Sequence, residues 1–366
     1  MKQLRDAQRP LLWLGHGIRL AGAVDLIDPL LDHLGVPAIV SWAGADMSSH
    51  PLIFGRAGVY GGRAANHIVQ QADFILAIGT RLSILQTGYD IEKFAPKAKV
   101  LVVDIDAEEA HKFGGGRFEG QTFDAGDYMR GLLAEPFTGH GKFAHMRWTN
   151  ECEELAAVYP VIEPYHGGPY TFLKRLEKYL KPDAVIVTDS GGALLCSHQV
   201  MTIKPPQRLI TTTGLGEMGF GLPGAIGASF ARKKGEVLCI NTDGGMMLNL
   251  QELQTIAHHN LPIKIIVFSN DGYGMIRHSQ KAMGLVRTAS DKAGGVSCPD
   301  FMQVAFAFGL SANWSDNVGP WWMFDQPGPC VYVVNYPADL QYLPKLMGSP
   351  GHSPALDELS PMLVPA

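Results

Sequence analysis

Two polar turns, set one strand apart, constrain this 366-residue chain more than any other feature. The stretch Asn241–Met275 reads strand, turn, helix, strand, turn. Val237–Asn241 is a short apolar run that ends at Asp243-Gly244-Gly245. Leu250, Leu253, Ile256 and Ala257 then recur at helical spacing. Pro262 stops that helix, and Ile263–Phe268 is a β-branched, strand-like run. Two parallel strands joined by a helix put the turns at Asp243 and Asn270 on one edge of a sheet. That edge, beyond the carboxyl ends of the strands, is where open α/β sheets bind ligands. Asp243 offers a carboxylate, Asn270 an amide oxygen, and the glycines bare backbone. Hard oxygen donors too few for a full cage suit Mg²⁺ bound together with a phosphorylated ligand. Gly244 and Gly245 open a helix whose free N–H groups favour an anion.

The rest of the chain repeats the alternation. Pro10–Leu14, Pro37–Val40, Phe74–Gly79 and Val100–Asp106 read as strands, with helices at about Ala21–Leu34 and Asn66–Gln71 between them. Further on, helices are predicted around Met146–Val158 and Tyr170–Leu180, and strands at Ala184–Thr188 and Gly328–Val334. This pattern predicts an α/β chain with two doubly wound parallel sheets. Gly15-His16-Gly17 is an incomplete nucleotide fingerprint, since residue 20 is Leu, and reads as a plain strand-to-helix turn. Glycines at 214, 216, 219, 221, 224 and 227 let backbone pass close to a ligand or a helix pack close to a sheet.

With these motifs in place, the chain resembles the thiamine diphosphate (ThDP) enzymes, closest to the acetolactate synthase-like branch. Their cofactor-anchoring motif, Gly-Asp-Gly followed by Asn-Asn, reads here Thr242-Asp243-Gly244 and Ser269-Asn270. Both departures flank a ligand, so the two metal-binding side chains survive. The string Gly214–Pro223 matches the family's Gly-Leu-Gly-x-Met-Gly-x-Gly-Leu-Pro. The resemblance implies that Asp243, Asn270 and the Gly272 carbonyl hold Mg²⁺ with two diphosphate oxygens and a water. It implies that Ser190, Gly191, Gly192, Gly244 and Gly245 line the diphosphate. Gly216 and Met218 would lie along the cofactor, with Met218 supporting its bent shape and contacting the 4′-amino group. Tyr273, Gly274 and Met275 would complete the pocket. The family's first diphosphate loop carries a polar pair where this chain has Gly192 and Ala193. Asp271, beside Asn270, is expected to cap its turn, and Glu217 to be exposed. Residues Lys281–Ser297 look like a mobile loop, and His278 is the one histidine near the site.

The resemblance covers a central domain at 1–140, a linker at 141–168, a diphosphate-binding domain at 169–345 and a tail at 346–366. Within the tail, residues 352–361 resemble the end of some acetolactate synthase-like proteins. Some relatives bind FAD in the central domain. Gly79-Thr80-Arg81 keeps the arginine of their turn, but Ser83–Gly88 departs from the flavin pattern, so FAD is not expected. The family's pyrimidine-binding domain, with the glutamate that activates the cofactor, is expected to lie on another polypeptide. The expectation is therefore the large subunit of a split, Mg²⁺-dependent 2-oxo acid decarboxylase or carboligase, using a substrate such as pyruvate. A separate pyrimidine-binding subunit would carry the catalytic Glu in an α₂β₂-type heteromer. The competing readings are a fragment or inactive relic, a non-catalytic ThDP- or nucleotide-binding regulatory subunit, and an FAD-dependent oxidase of the pyruvate oxidase type.

Composition excludes other classes. A net charge of −5 argues against nucleic acid as a main partner. No apolar run reaches the ~20 residues that span a membrane, and Met1–Asp6 does not read as a signal peptide. Five scattered cysteines without a Cys-x-x-Cys pair disfavour zinc or disulfide frameworks and make a reducing cytoplasm the expected setting. No Gly-x-Ser-x-Gly elbow occurs, and His258 and His259, adjacent on one helix, read as surface.

Overall fold

The computed structural model of the protein describes residues 1–137, 145–159, 168–314, 321–343 and 345. Most of the segment expected to be a linker, outside the helix Met146–Val158, and the tail at 346–366 lie outside the described residues. The chain divides into two compact units, Met1–Val161 and Ile162–Tyr342, with Leu343 and Lys345 grouped with the first.

The first unit is built on a parallel sheet of β1 (Pro10–Leu14), β2 (Ala38–Val40), β3 (Phe74–Ile78), β4 (Lys99–Asp104) and β5 (Phe118–Thr122), in the order β2-β1-β3-β4-β5. Both faces of such a sheet must be covered by helices, so its inner strands β1 and β3 are apolar throughout, without polar alternation. Leu12 and Leu14 of β1 enter one core with Phe74, Leu76 and Ile78. Leu11 and Trp13 enter the opposite core with Ile75 and Ala77. The helix Met146–Val158 closes the second face, where Trp148 is buried and its indole N–H donates to the Pro10 carbonyl at 2.9 Å. The helix predicted over Ala21–Leu34 is shorter. Gly17–Leu20 forms one turn, a 3₁₀ turn follows at Val24–Leu26, and the helix proper is Ile27–Leu34, ended by Gly35 at φ +60°. The Gly17 N–H donates to the Gly79 carbonyl at 2.8 Å, and Arg81 pairs with Glu109 at 2.8 Å.

The second unit carries six parallel strands in the order β10-β11-β9-β8-β6-β7. They are β6 (Val185–Thr188), β7 (Arg208–Ile210), β8 (Val237–Thr242), β9 (Ile263–Ser269), β10 (Ser311–Trp314) and β11 (Cys330–Asn335). Val187, Cys239, Ile265 and Val333 face one core. Phe268 and Tyr332 face the other, where Phe172 of the helix Gly168–Leu176 meets both rings. The order reverses beside β6, with β7 on one side and β8 on the other. A topological switch point of this kind opens a crevice at the carboxyl edge. All five cysteines are free, and no helix among the described residues is long and apolar enough to cross a membrane.

Candidate cofactor and metal site

β8 and β9 run in register, with Thr242 opposite Phe268, so the turns that follow them meet. Asp243 is the hub of that meeting. Its Oδ1 accepts the Gly244 N–H at 2.8 Å, and its Oδ2 accepts those of Asn270 at 2.8 Å and Gly272 at 3.0 Å. The second turn is thus wrapped around a buried carboxylate. Burial raises the Asp243 pKa, opposed by these three N–H groups and by the charge of Arg277.

Asn270 has spent every polar atom but one. Its N–H goes to Asp243, its carbonyl accepts from Arg277 Nη2 at 3.0 Å, and its Nδ2 donates to the Tyr336 hydroxyl at 2.9 Å. Its Oδ1 is buried without a partner. An unpaired buried acceptor costs about 1–3 kcal/mol, and this oxygen is available to a ligand or a water. Tyr336 follows β11, and its own N–H donates to the Ser269 carbonyl at 3.0 Å. Its hydroxyl lies 3.0 Å from that of Tyr342. Burial pushes both phenols upward, so both keep their protons.

A second carboxylate organises the turns after β6 and β7. Asp189 accepts the N–H groups of Ser190 at 2.8 Å, Gly219 at 3.2 Å and Gly221 at 2.8 Å. It fills the start of the helix Gly221–Ala231 with its own negative charge. A β-carbon at Gly245 would stand 2.4 Å from Asp189 Oδ1, which shows how closely the turn after β8 is pressed on it. Asp189 therefore ties together the turns after β6 and β7, and Asp243 those after β8 and β9.

The expected site residues fall into three groups on this edge. Asp243, Asn270, Gly272 and Gly244 form the first, around the buried carboxylate. Met218 is about two-fifths exposed and reaches toward Gly244. A β-carbon there would stand 3.2 Å from Met218 Cε and 2.5 Å from the Tyr273 ring. Gly216, two residues before Met218, takes φ +72°. The third group joins Gly191, Gly192, Gly274 and Met275. A β-carbon at Gly192 would lie 2.9 Å from the Tyr342 hydroxyl, one at Gly274 would lie 3.3 Å from it, and one at Gly191 would lie 3.9 Å from Met275 Cγ.

Several local expectations change. The N–H of Ser190 is already held by Asp189, which leaves its hydroxyl, 3.5 Å from the same oxygen, as the freer group. The helix after β8 opens at Asp243 and spans six residues, Asp243–Leu248. Its first N–H groups are engaged, Gly244 by Asp243 and Gly245 by the Thr242 hydroxyl. Asp271 caps nothing with its side chain. It sits at φ +61° and presents its carbonyl to Arg277 Nη1 at 3.4 Å. The loop Lys281–Ser297 is anchored at its middle. Ser290 is buried, and its carbonyl takes the Tyr273 N–H at 2.9 Å and Arg277 Nη1 at 3.0 Å. Glu217 is exposed, as are His258 and His259. His278 lies against Tyr342, with ring centroids 5.3 Å apart.

Sequence reading missed Asp189 as a hub, Arg277 as the clamp on the Asn270 turn, and the Tyr336–Tyr342 pair. Asp189 carries a signal, a lone acid after an apolar strand. The tyrosines carry none, being 66 and more residues from Asn270 and placed there only by the pairing of β9 with β11.

The donor set suits a divalent cation. It offers one buried carboxylate and one partnerless amide oxygen, and among the described residues no three His, Cys, Asp or Glu side chains gather. Such a set leaves positions for phosphate oxygens and water.

Comparison with known proteins identifies the family. Residues 1–115 match the family model of the thiamine pyrophosphate enzyme central domain, and residues 189–318 that of the C-terminal TPP binding domain. Thiamine pyrophosphate is the same molecule as ThDP, and the two matches span more than half of the chain. The chain belongs to the thiamine pyrophosphate enzyme family. It is 33% identical over 316 residues to the acetolactate synthase isozyme 2 large subunit of Escherichia coli K12, covering 84% of this chain and 55% of that protein. It is 30% identical over 332 residues to a probable acetolactate synthase large subunit of Methanococcus aeolicus, covering 86% and 55%. Over 318 residues it is 30% identical to the acetolactate synthase large subunit of Pyropia yezoensis, covering 85% and 53%. The chain thus spans a little over half the length of these relatives.

Proposed function

We propose that this chain holds the diphosphate and metal side of a ThDP–Mg²⁺ site in an acetolactate synthase-like carboligase that acts on a 2-oxo acid such as pyruvate. The observation that carries the reading is the partnerless, buried Oδ1 of Asn270 beside the Asp243 carboxylate, inside the stretch that matches the C-terminal TPP binding domain. Asp243, Asn270 and the Gly272 carbonyl would hold the metal. Ser190, Gly191, Gly192, Gly244 and Gly245 would line the diphosphate. Gly216 and Met218 would lie along the cofactor's rings, with Tyr273, Gly274 and Met275 walling the pocket. When bound, the cofactor supplies an electron sink for decarboxylation of the 2-oxo acid. The chain's own part is to anchor it, through two aspartates that hold four turns rigid, and to shield the Asp243 carboxylate from water.

In this proposal a separate pyrimidine-binding polypeptide supplies the activating glutamate and completes the site in a heteromer. The domains are assigned as a central domain at 1–140 and a diphosphate-binding domain at 169–345. The test is to co-express the chain with that polypeptide and measure CO₂ release and carboligation from pyruvate with ThDP and Mg²⁺. Turnover that disappears with Asp243→Ala is the expected result. Absence of turnover across a panel of 2-oxo acids would sink the enzyme reading.

A further inference from the structure

Nothing in the family match bears on Tyr336 or Tyr342, which lie beyond residue 318. Yet Tyr336 touches the one side chain whose orientation decides what the site can bind. An asparagine amide has two faces. With Oδ1 toward the site it can ligate a cation, and with Nδ2 toward the site it repels one. In the structure Nδ2 donates to Tyr336 at 2.9 Å, and Oδ1 is left free.

A phenol is suited to hold that orientation, because its oxygen accepts from the amide while its proton is passed on. Its second partner is the Tyr342 hydroxyl, 3.0 Å away. Tyr342 is held in turn by close packing, its oxygen pressed between Gly192 and Gly274. Both glycines begin nine-residue helices at the same edge of the sheet. The chain of contacts therefore runs from Asn270 through two phenols to the turn after β6.

We propose that Tyr336 is a positioning residue for the metal, with Tyr342 as its support: the pair takes Nδ2 of Asn270 and so turns Oδ1 toward the cation. This inference rests on the metal-site reading above. Without Tyr336, Nδ2 has no acceptor and the amide is free to turn over. Without Tyr342, the Tyr336 hydroxyl loses the partner that holds it against Nδ2. Outer partners of this kind change metal affinity by about 10–100-fold.

The test is a double-mutant cycle on the full chain, read by the free Mn²⁺ signal in electron paramagnetic resonance with ThDP present. In the Asn270 background, Tyr336→Phe and Tyr342→Phe are each expected to weaken Mn²⁺ binding by about tenfold or more. In the Asn270→Asp background an oxygen faces the cation whichever way the group turns, so Tyr336→Phe should cost about two- to threefold at most. Melting temperatures of the four variants separate folding losses from this effect. An equal loss in both backgrounds means that Tyr336 only packs, and no loss in the first means that it does not orient Asn270. Either result overturns the inference and leaves the cofactor reading standing. Failure of the unaltered chain to bind Mn²⁺ with ThDP overturns both.

Discussion

At the residue scale the site is a matter of which oxygens are spent and which are spare. Asp243 and Asp189 are buried acids, and each is surrounded by backbone N–H groups instead of a counter-ion. Hydrogen bonds to the ionised form favour it, but burial is the larger influence and raises both pKa values. For Asp189 this has a sign that can be checked. A folded-state pKa above the unfolded value of about 3.9 makes its stabilising contribution greatest below that pH and lost as pH rises through the raised value. The stability of the wild type relative to Asp189→Asn should therefore fall between acid and neutral pH, as read by urea unfolding across that range. A difference that grows with pH would reverse the assignment. Gly245→Ala probes the same knot sterically. Its β-carbon would stand 2.4 Å from Asp189 Oδ1 and 2.5 Å from Asn241 Oδ1, both on buried, fixed side chains. Overpacking of this kind costs about 1–3 kcal/mol, and unfolding midpoints should show it.

At the element scale, the strands that position the site are also the ones most legible in the sequence. β8 and β9 are mostly apolar runs that end at Asp243 and Asn270, and their turns are the two that the sequence analysis begins from. β5, β7 and β10 are not legible. β5 reads Phe-Glu-Gly-Gln-Thr and is exposed over most of its length, since it is an edge strand with one neighbour. β7 and β10 are likewise the two edges of their sheet, three and four residues long. Edge strands of mixed composition leave no apolar run to read, whereas the edge strand β2 is legible because Ala38–Val40 is wholly apolar and buried. The anchoring of Lys281–Ser297 was hidden for another reason. It depends on backbone carbonyls of Ser290, Asp271 and Asn270 meeting Arg277, and backbone groups leave no mark in sequence. Helix caps are the intermediate case. Asp300 precedes the helix Phe301–Ala307 and accepts the N–H groups of Met302 and Gln303. Asp300→Ala should cost about 1 kcal/mol of stability and leave ThDP affinity unchanged, which separates capping from cofactor binding in one calorimetric experiment.

At the scale of the whole molecule, two parallel sheets have their ligand edges at the carboxyl ends of their strands, but they differ in what those edges offer. In the first unit Gly17 spends its N–H on Gly79, and Arg81 is paired with Glu109. In the second unit a buried carboxylate holds the backbone of the turn whose asparagine keeps an unspent amide oxygen. The family match covers both units. The most direct measurement is calorimetric titration of the full chain with ThDP, with and without Mg²⁺, for the wild type and Asp243→Ala. The account predicts saturable binding that needs Mg²⁺ and is lost in Asp243→Ala while the fold, followed by circular dichroism, survives. Binding that is indifferent to Mg²⁺, or retained in Asp243→Ala, would contradict it.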